Sequence, residues 1–233
     1  MVRASASNVV RSICLSILQL IVDHIYQVLS CQTLTDLRDK IRCVSDLMVE
    51  GEFSVNPDLP SDVCAKEIYK SGFFFIEDKF YNDMRDPDCR DYSRVIMDWA
   101  ATKPRGMGPL ESVVMENVKF DDLCIRLGHP YLYMHQGNCE HLIVFSDIRM
   151  LQPDDILDIR EYPLMTMRRT KQRTFCKVCL NTASRWVTLN DELAPENPCY
   201  FCDPCFRSLH YDEDGKKVCK FEAYKYFDSH VVL

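Results

Sequence analysis

The chain has no apolar run long enough to cross a bilayer, which takes about 20 residues. The one candidate, Ile13–Val22, follows Arg11 and ends at Asp23-His24, with no small-residue cleavage site. It reads as a buried strand rather than an anchor or a secretory leader, and no membrane contact is expected. A surplus of positive charge is also missing. Lys plus Arg total 28 against 35 Asp plus Glu, for a net charge of −7. A stand-alone nucleic-acid binder is usually basic overall, so any DNA contact must come from a local patch or beside a basic partner. Catalytic signatures are absent as well. There is no H-E-x-x-H of a zinc hydrolase. Pro198–Cys202 supplies the P-C-x-x-C half of a zinc deaminase, but no H-x-E precedes it, because Glu140 lies directly between Cys139 and His141. No internal repeat or low-complexity tract is present. The expectation is a protein that is not an enzyme and takes no small-molecule substrate.

The chain does have 233 residues, 47% of them hydrophobic, and 13 cysteines. That length supports one large or two small domains with real cores. An odd, large cysteine count with no leader points to a reducing compartment, where thiols are metal ligands or small buried hydrophobes. Cys176 and Cys179 form one C-x2-C knuckle and Cys202 and Cys205 a second, with 22 residues between Cys179 and Cys202. Two knuckles at that separation read as a tetrahedral zinc shell. Four thiolates leave no open position, so this zinc would be structural. The intervening segment is too short for a core of its own, and metal binding would supply the folding free energy. Upstream, His135, Cys139 and His141 place three ligands within seven residues. They point to a second zinc, with Cys199 as the natural fourth ligand. His210 competes for that role, and spacing leaves open an interleaved scheme pairing Cys199 with Cys202 and Cys205 with His210.

From Tyr162 to Asn190 there is no acid, while Arg168, Arg169, Lys171, Arg173, Lys177 and Arg185 contribute six positive charges. On a chain of charge −7 this segregation marks the candidate DNA-binding segment, on charge alone. Elsewhere the pattern is mixed. Met1–Asn8 reads as disordered. Arg11–Val22 and Tyr26–Cys31 read as a hairpin broken at Asp23-His24, with a continuous helix as the alternative. A helix then follows, capped by Thr33 with Asp36 three residues on, and with Leu34, Leu37, Ile41 and Val44 on its core face. Ser71–Phe80 reads as one aromatic-rich strand, Tyr81–Asp91 as an acid-rich turn, Tyr92–Ala101 as a helix, and Phe120–Leu127 as a helix ended by Gly128. Tyr131–His135 and His141–Phe145 read as a hairpin, with Gly137 and Asn138 taking positive φ in its turn. Asp147–Tyr162 reads as a polar connection.

At these residues the chain resembles a known family. H-Q-G-N-C-E-H (135–141), R-W-V-T (185–188), A-P-E-N-P-C-Y-F-C-D-P-C-F (194–206) and L-H-Y-D (209–212) are similar to the zinc-finger subunit 3 family of the snRNA-activating protein complex. So are Q-T-L-T-D-L-R-D-K-I (32–41), C-V-S-D-L (43–47), G-E-F-S (51–54), F-Y-N-D-M-R (80–85), C-R-D-Y-S-R (89–94) and G-H-P-Y-L-Y (128–133). The similarity covers about Cys31 to Tyr226. It implies a nuclear transcription-factor subunit with an unusual two-zinc arrangement. Its complex would bind the proximal sequence element of small nuclear RNA promoters and support RNA polymerases II and III. The implied partners are promoter DNA, a Myb-repeat subunit, a scaffold subunit and the TATA-binding protein. Met1–Tyr26 does not match, and Met167–Arg173 departs from the family pattern, so no DNA contacts there are taken from the family.

The reading is therefore an α+β chain with three parts: an unmatched segment 1–26, a β-grasp-like (ubiquitin-like) part 27–127, and a two-zinc module 128–233. The alternatives are a ubiquitin-ligase-like interaction module or a scaffold that does not touch DNA. A RING-type ligase would interleave eight ligands more closely than the 36 residues between Cys139 and Cys176 allow.

Overall fold

The computed structural model describes residues 9–16, 22–60, 63–102, 108–169 and 171–228. The segment expected to be disordered, Met1–Asn8, and residues 17–21 of the expected first strand lie outside them. In chain order the regular elements are β1 (Val9–Ser16), β2 (His24–Leu29), α1 (Leu34–Lys40), α2 (Ala65–Ile68), β3 (Gly72–Ile76), β4 (Lys79–Asn82), α3 (Tyr92–Ala101), β5 (Glu111–Val114), β6 (Pro130–His135), β7 (Cys139–Met150), β8 (Leu164–Arg168), β9 (Trp186–Leu189), β10 (Cys199–Phe201), α4 (Asp203–His210) and β11 (Glu222–Lys225). The architecture is mixed α/β, with two sheets and few helices. The chain divides into two compact units, 1–41 with 69–169, and 42–68 with 170–233. Residues 128–169, grouped with the metal module on sequence, thus fall in the first unit, and 42–68 fall in the second.

The first unit carries a sheet ordered β5-β4-β3-β6-β7-β1-β2-β8. Neighbours are antiparallel except β4 and β5, which run parallel. The expected hairpin and helix are both present: β1 pairs antiparallel with β2, and α1 follows. Thr33 caps α1 by accepting from the Asp36 N–H, while the Asp36 carboxylate accepts from the Thr33 N–H at 2.7 Å. Leu34, Leu37 and Ile41, at helical spacing, are buried against Tyr26, Phe74, Phe120 and Phe145. Val44 lies beyond that face, at the start of a short 3-10 turn, Val44–Leu47, in the second unit.

Several local expectations are corrected. Ser71–Phe80 is a hairpin, not one strand. Glu77 takes positive φ (58°) and turns β3 into β4, bringing the rings of Phe75 and Phe80 to 4.4 Å across the pair, tilted at 34°. A non-glycine residue at positive φ carries little sequence signal. Here its carboxylate holds Arg126 and the Tyr131 hydroxyl. Phe120–Leu127 is helical only over Phe120–Asp122; the Asp122 carboxylate accepts from the Lys119 N–H at 2.9 Å. The chain then extends, burying Leu123 and Ile125 two residues apart in the core. Gly128, expected to end that helix, instead takes positive φ (74°) six residues beyond its last turn. In the β6–β7 turn it is Gln136 and Gly137 that take positive φ, not Asn138. Strand β7 runs on to Met150, paired with β1, into what was expected to be a connection.

The second unit builds a smaller sheet, β10-β9-β11, all antiparallel, with α4 beside it. Its core is Phe53, Trp186, Phe201, Phe206 and Phe221, and Trp186 stacks on Phe206 with centroids 4.4 Å apart. Residues 42–68 join through the Phe53 N–H donating to the Ala223 carbonyl at 2.8 Å and the Tyr211 hydroxyl donating to the Ser54 carbonyl at 2.7 Å. The Arg207–Asp58 ion pair adds a further tie, at 2.6 Å.

Candidate metal centre

The two knuckles converge. Cys176 follows Phe175, whose bridge to Ala183 closes the first loop, and the Leu180 N–H returns to the Cys176 carbonyl at 3.0 Å. Leu180 itself takes positive φ (57°), which tightens the turn. Cys202 is the N-cap of α4, with proline inside the first turn, and Cys205 lies one turn along. The sulfurs of Cys176, Cys179, Cys202 and Cys205 all lie within 4.8 Å of one another, and Cys179 and Cys202 are 3.9 Å apart. Cys176, Cys179, Cys202 and Cys205 are all free thiols.

The electrostatics of this group are uneven. The Asn181 and Thr182 N–H groups aim at the Cys179 sulfur and hold its pKa down to about 6. Burial pushes the Cys176 thiol up, but the N–H groups of Cys179, Cys202 and Val178 outweigh it, so its pKa is lowered. Burial raises Cys202, and hydrogen bonding to the Cys202 thiol, ahead of burial, pushes Cys205 up to about 12. Four thiolates cannot coexist at this distance without a cation among them. The knuckle N–H groups favour the ionised form that a metal binds.

The second donor set lies in the first unit, on the β6–β7 hairpin. His135 pairs with Cys139 in register, and His141 stands two residues beyond on the same strand face. The two Nε2 atoms are 3.0 Å apart, and the Cys139 Sγ is 3.5 Å from the His141 Nε2. Both imidazoles are buried, with Tyr133 stacked beside them at 5.4 and 5.7 Å. The buried His141 Nδ1 has no hydrogen-bond partner. Gly72 of β3 lets the backbone approach His135; a Cβ there would stand 3.0 Å from the Met134 carbonyl. Cys199, expected as the fourth ligand, lies in the second unit on β10, buried in the aromatic core, and burial raises its pKa. It belongs to neither donor group of that unit.

His210 is not grouped with Cys205. Its Nδ1 is 2.8 Å from the Phe206 carbonyl and its Nε2 is 2.8 Å from the Asp191 carboxylate, with the Cys219 sulfur nearby. Asp191 and Cys219 went unnoticed in the sequence because no ligand spacing links them. Of the basic residues, Arg168 ends β8 and Arg169 is exposed, both in the first unit. Lys171, Arg173, Lys177 and Arg185 are exposed in the second, where Lys177 pairs with Glu196 at 3.0 Å.

Four thiols on paired knuckles, and two imidazoles with a thiol on one hairpin, are donor sets of the kind that hold metal ions. Among the described residues no helix is long and apolar enough to cross a membrane. A family model described as snRNA-activating protein complex (SNAPc), subunit 3 matches residues 24–227. The "snRNA-activating protein complex subunit 3" of rat and of mouse are each 52% identical over 201 residues, and that of cattle is 51% identical. Each alignment covers 86% of this chain and 49% of the relative, so the chain spans about half the length of the curated relatives it matches. The chain belongs to the family of snRNA-activating protein complex subunit 3, as the resemblance in its motifs implied.

Proposed function

We propose that the chain is a non-enzymatic subunit of a nuclear snRNA-activating complex, with structural zinc in both donor sets. The complex would bind the proximal sequence element of small nuclear RNA promoters and serve RNA polymerases II and III. Its partners would be a Myb-repeat subunit, a scaffold subunit, the TATA-binding protein and the promoter DNA. The observation that carries this reading is the family match across residues 24–227, which contains every residue of both donor sets. A Zn–S length of about 2.3 Å implies a tetrahedral sulfur–sulfur edge of about 3.8 Å, and the 3.9 Å between Cys179 and Cys202 supports zinc there. The hairpin β1–β2 followed by α1 supports a β-grasp-like relation for the opening of the chain.

Zinc here is structural chemistry: it would hold the knuckles and the start of α4 rigid, so that the basic residues flanking Cys176 are presented on a fixed loop. The net charge of −7 fits a subunit whose partners supply most of the positive surface. Charge reversal at Arg168, Arg169 and Lys171 tests the DNA contact. In the assembled complex it should weaken promoter binding at moderate salt and reduce the salt dependence. Unchanged affinity and salt slope would remove this segment from the DNA, and favour a scaffold that assembles partners only.

A further inference from the structure

The second unit contains a cleft of about 380 Å³ that neither donor set uses. Three cations line it: Arg173, Arg185 and Lys225. None of the three has a carboxylate ion-pair partner among the described residues. The Lys225 ammonium instead lies over aromatic faces, 5.1 Å from the Trp186 centroid and 5.3 Å from that of Phe53. The backbone of Arg185 is fixed on both sides, its N–H donating to the Phe201 carbonyl and its carbonyl accepting from the Tyr226 N–H, each at 2.8 Å.

Two acids also line the cleft, and both are engaged. Asp203 accepts from the Trp186 indole N–H at 2.9 Å and from the Arg207 guanidinium at 3.0 Å. Asp228 accepts from the Thr174 N–H at 3.0 Å. One polar atom is left over. Ser184 lines the cleft and is only 4% exposed, and its buried Oγ has no hydrogen-bond partner. A buried hydroxyl without a partner is costly to keep. An oxyanion would accept its proton and at the same time answer the three cations.

We infer that this cleft binds a phosphate group, and that the phosphate is one of the DNA backbone. Arg173, Arg185 and Lys225 would supply charge, and Ser184 a directed hydrogen bond. The DNA source rests on the promoter-binding reading above. It is favoured over a phosphorylated side chain of a partner protein because Arg173, Ser184 and Arg185 belong to the acid-free stretch 162–190, which suits a repeating polyanion. Lys225 and Ser184 are new to the site. Lys177, already paired with Glu196, is not part of it.

The test uses the full zinc-loaded chain with its partner subunits, a promoter duplex, and three variants: Arg185→Gln, Lys225→Met and Ser184→Ala. Arg185→Gln and Lys225→Met should each weaken duplex binding several-fold near 0.1 M salt, and losing the phosphate contact should flatten the log–log salt slope by about 0.9. Ser184→Ala should weaken binding with the slope kept, and Arg185→Lys should restore the slope. Zinc content and near-UV circular dichroism should be those of the wild type, which separates a lost contact from a lost fold. Inorganic phosphate should raise the melting temperature of the wild-type chain and not that of the Arg185→Gln, Lys225→Met double variant.

Unchanged affinity and slope in folded variants would overturn the assignment. So would a phosphoserine peptide that protects the chain where duplex DNA does not, which would give the cleft to a partner protein. A wild-type assembly that leaves the promoter unbound would sink the promoter reading and the DNA source together. The phosphate titration would then still judge the cleft by itself, and no protection would mean no site.

Discussion

His135 and His141 face each other across the β6–β7 hairpin with their Nε2 atoms 3.0 Å apart and their rings nearly parallel. Two neutral imidazoles can share one proton at that distance, but the Cys139 sulfur, 3.5 Å from the His141 Nε2, converges on the same point. One cation would satisfy all three donors. His141→Asn should therefore remove one metal equivalent and leave the four-cysteine metal in place. Metal analysis of the purified chain, with the visible spectrum of the cobalt-substituted protein, would check it. Full metal content in the variant would detach this hairpin from metal binding.

Cys202 links the knuckles to α4, as both a member of the sulfur group and the helix N-cap. Cys202→Ser should lose the second unit's metal and unfold that unit, since binding of structural zinc contributes on the order of 10 kcal/mol in small zinc modules. The stacked Trp186–Phe206 pair reports on it directly, through near-UV circular dichroism and tryptophan fluorescence. A folded, metal-loaded variant would mean that Cys202 is not a ligand.

Cys179 is the exposed member of the group, and its pKa is held down to about 6 by the Asn181 and Thr182 N–H groups. Because the pKa is lowered, the thiolate forms as pH rises through about 6, well below an ordinary cysteine. On brief exposure to limiting chelator, before loss of the metal unfolds the unit, Cys179 should be the first of the four alkylated at pH 7, with its rate falling below pH 6 as the sulfur takes up its proton. In the metal-loaded chain it should be protected. Peptide mapping after a timed alkylation would settle the order. Equal rates at all four cysteines, or no protection by metal, would contradict the geometry.

Thr33 and Asp36 bond reciprocally at the start of α1. Thr33→Ala should cost about 1 kcal/mol of stability and Thr33→Ser much less. Urea unfolding of both variants would measure the difference. Equal losses would show that the hydroxyl is not the stabilising group.

Features held within a few residues could be read from the sequence. The Thr33–Asp36 box, the limits of α3 at Tyr92 and Ala101, and the C-x2-C knuckles all depend on neighbours in the chain. The turn at Glu77 was missed because glutamate at positive φ has no composition signal and is held by Arg126 and Tyr131, about fifty residues away. Phe120–Leu127 was read as a helix because its apolar residues fit that period as well as an extended one, and the core around Leu123 and Ile125 decides between them. The place of 42–68 in the second unit rests on pairings such as Phe53 with Ala223, which leave no local trace. The same holds for Lys225 and Ser184, which share a cleft without sharing a motif.

The most direct measurement is a mobility shift on a small nuclear RNA proximal sequence element, with the chain alone, with its partner subunits, and with both after zinc chelation. A shift that requires chain and partners together, and is lost when zinc is removed, is the predicted result. A folded, zinc-loaded chain that adds nothing to the partners' shift, or a shift indifferent to chelation, would contradict a metal-held promoter-binding subunit.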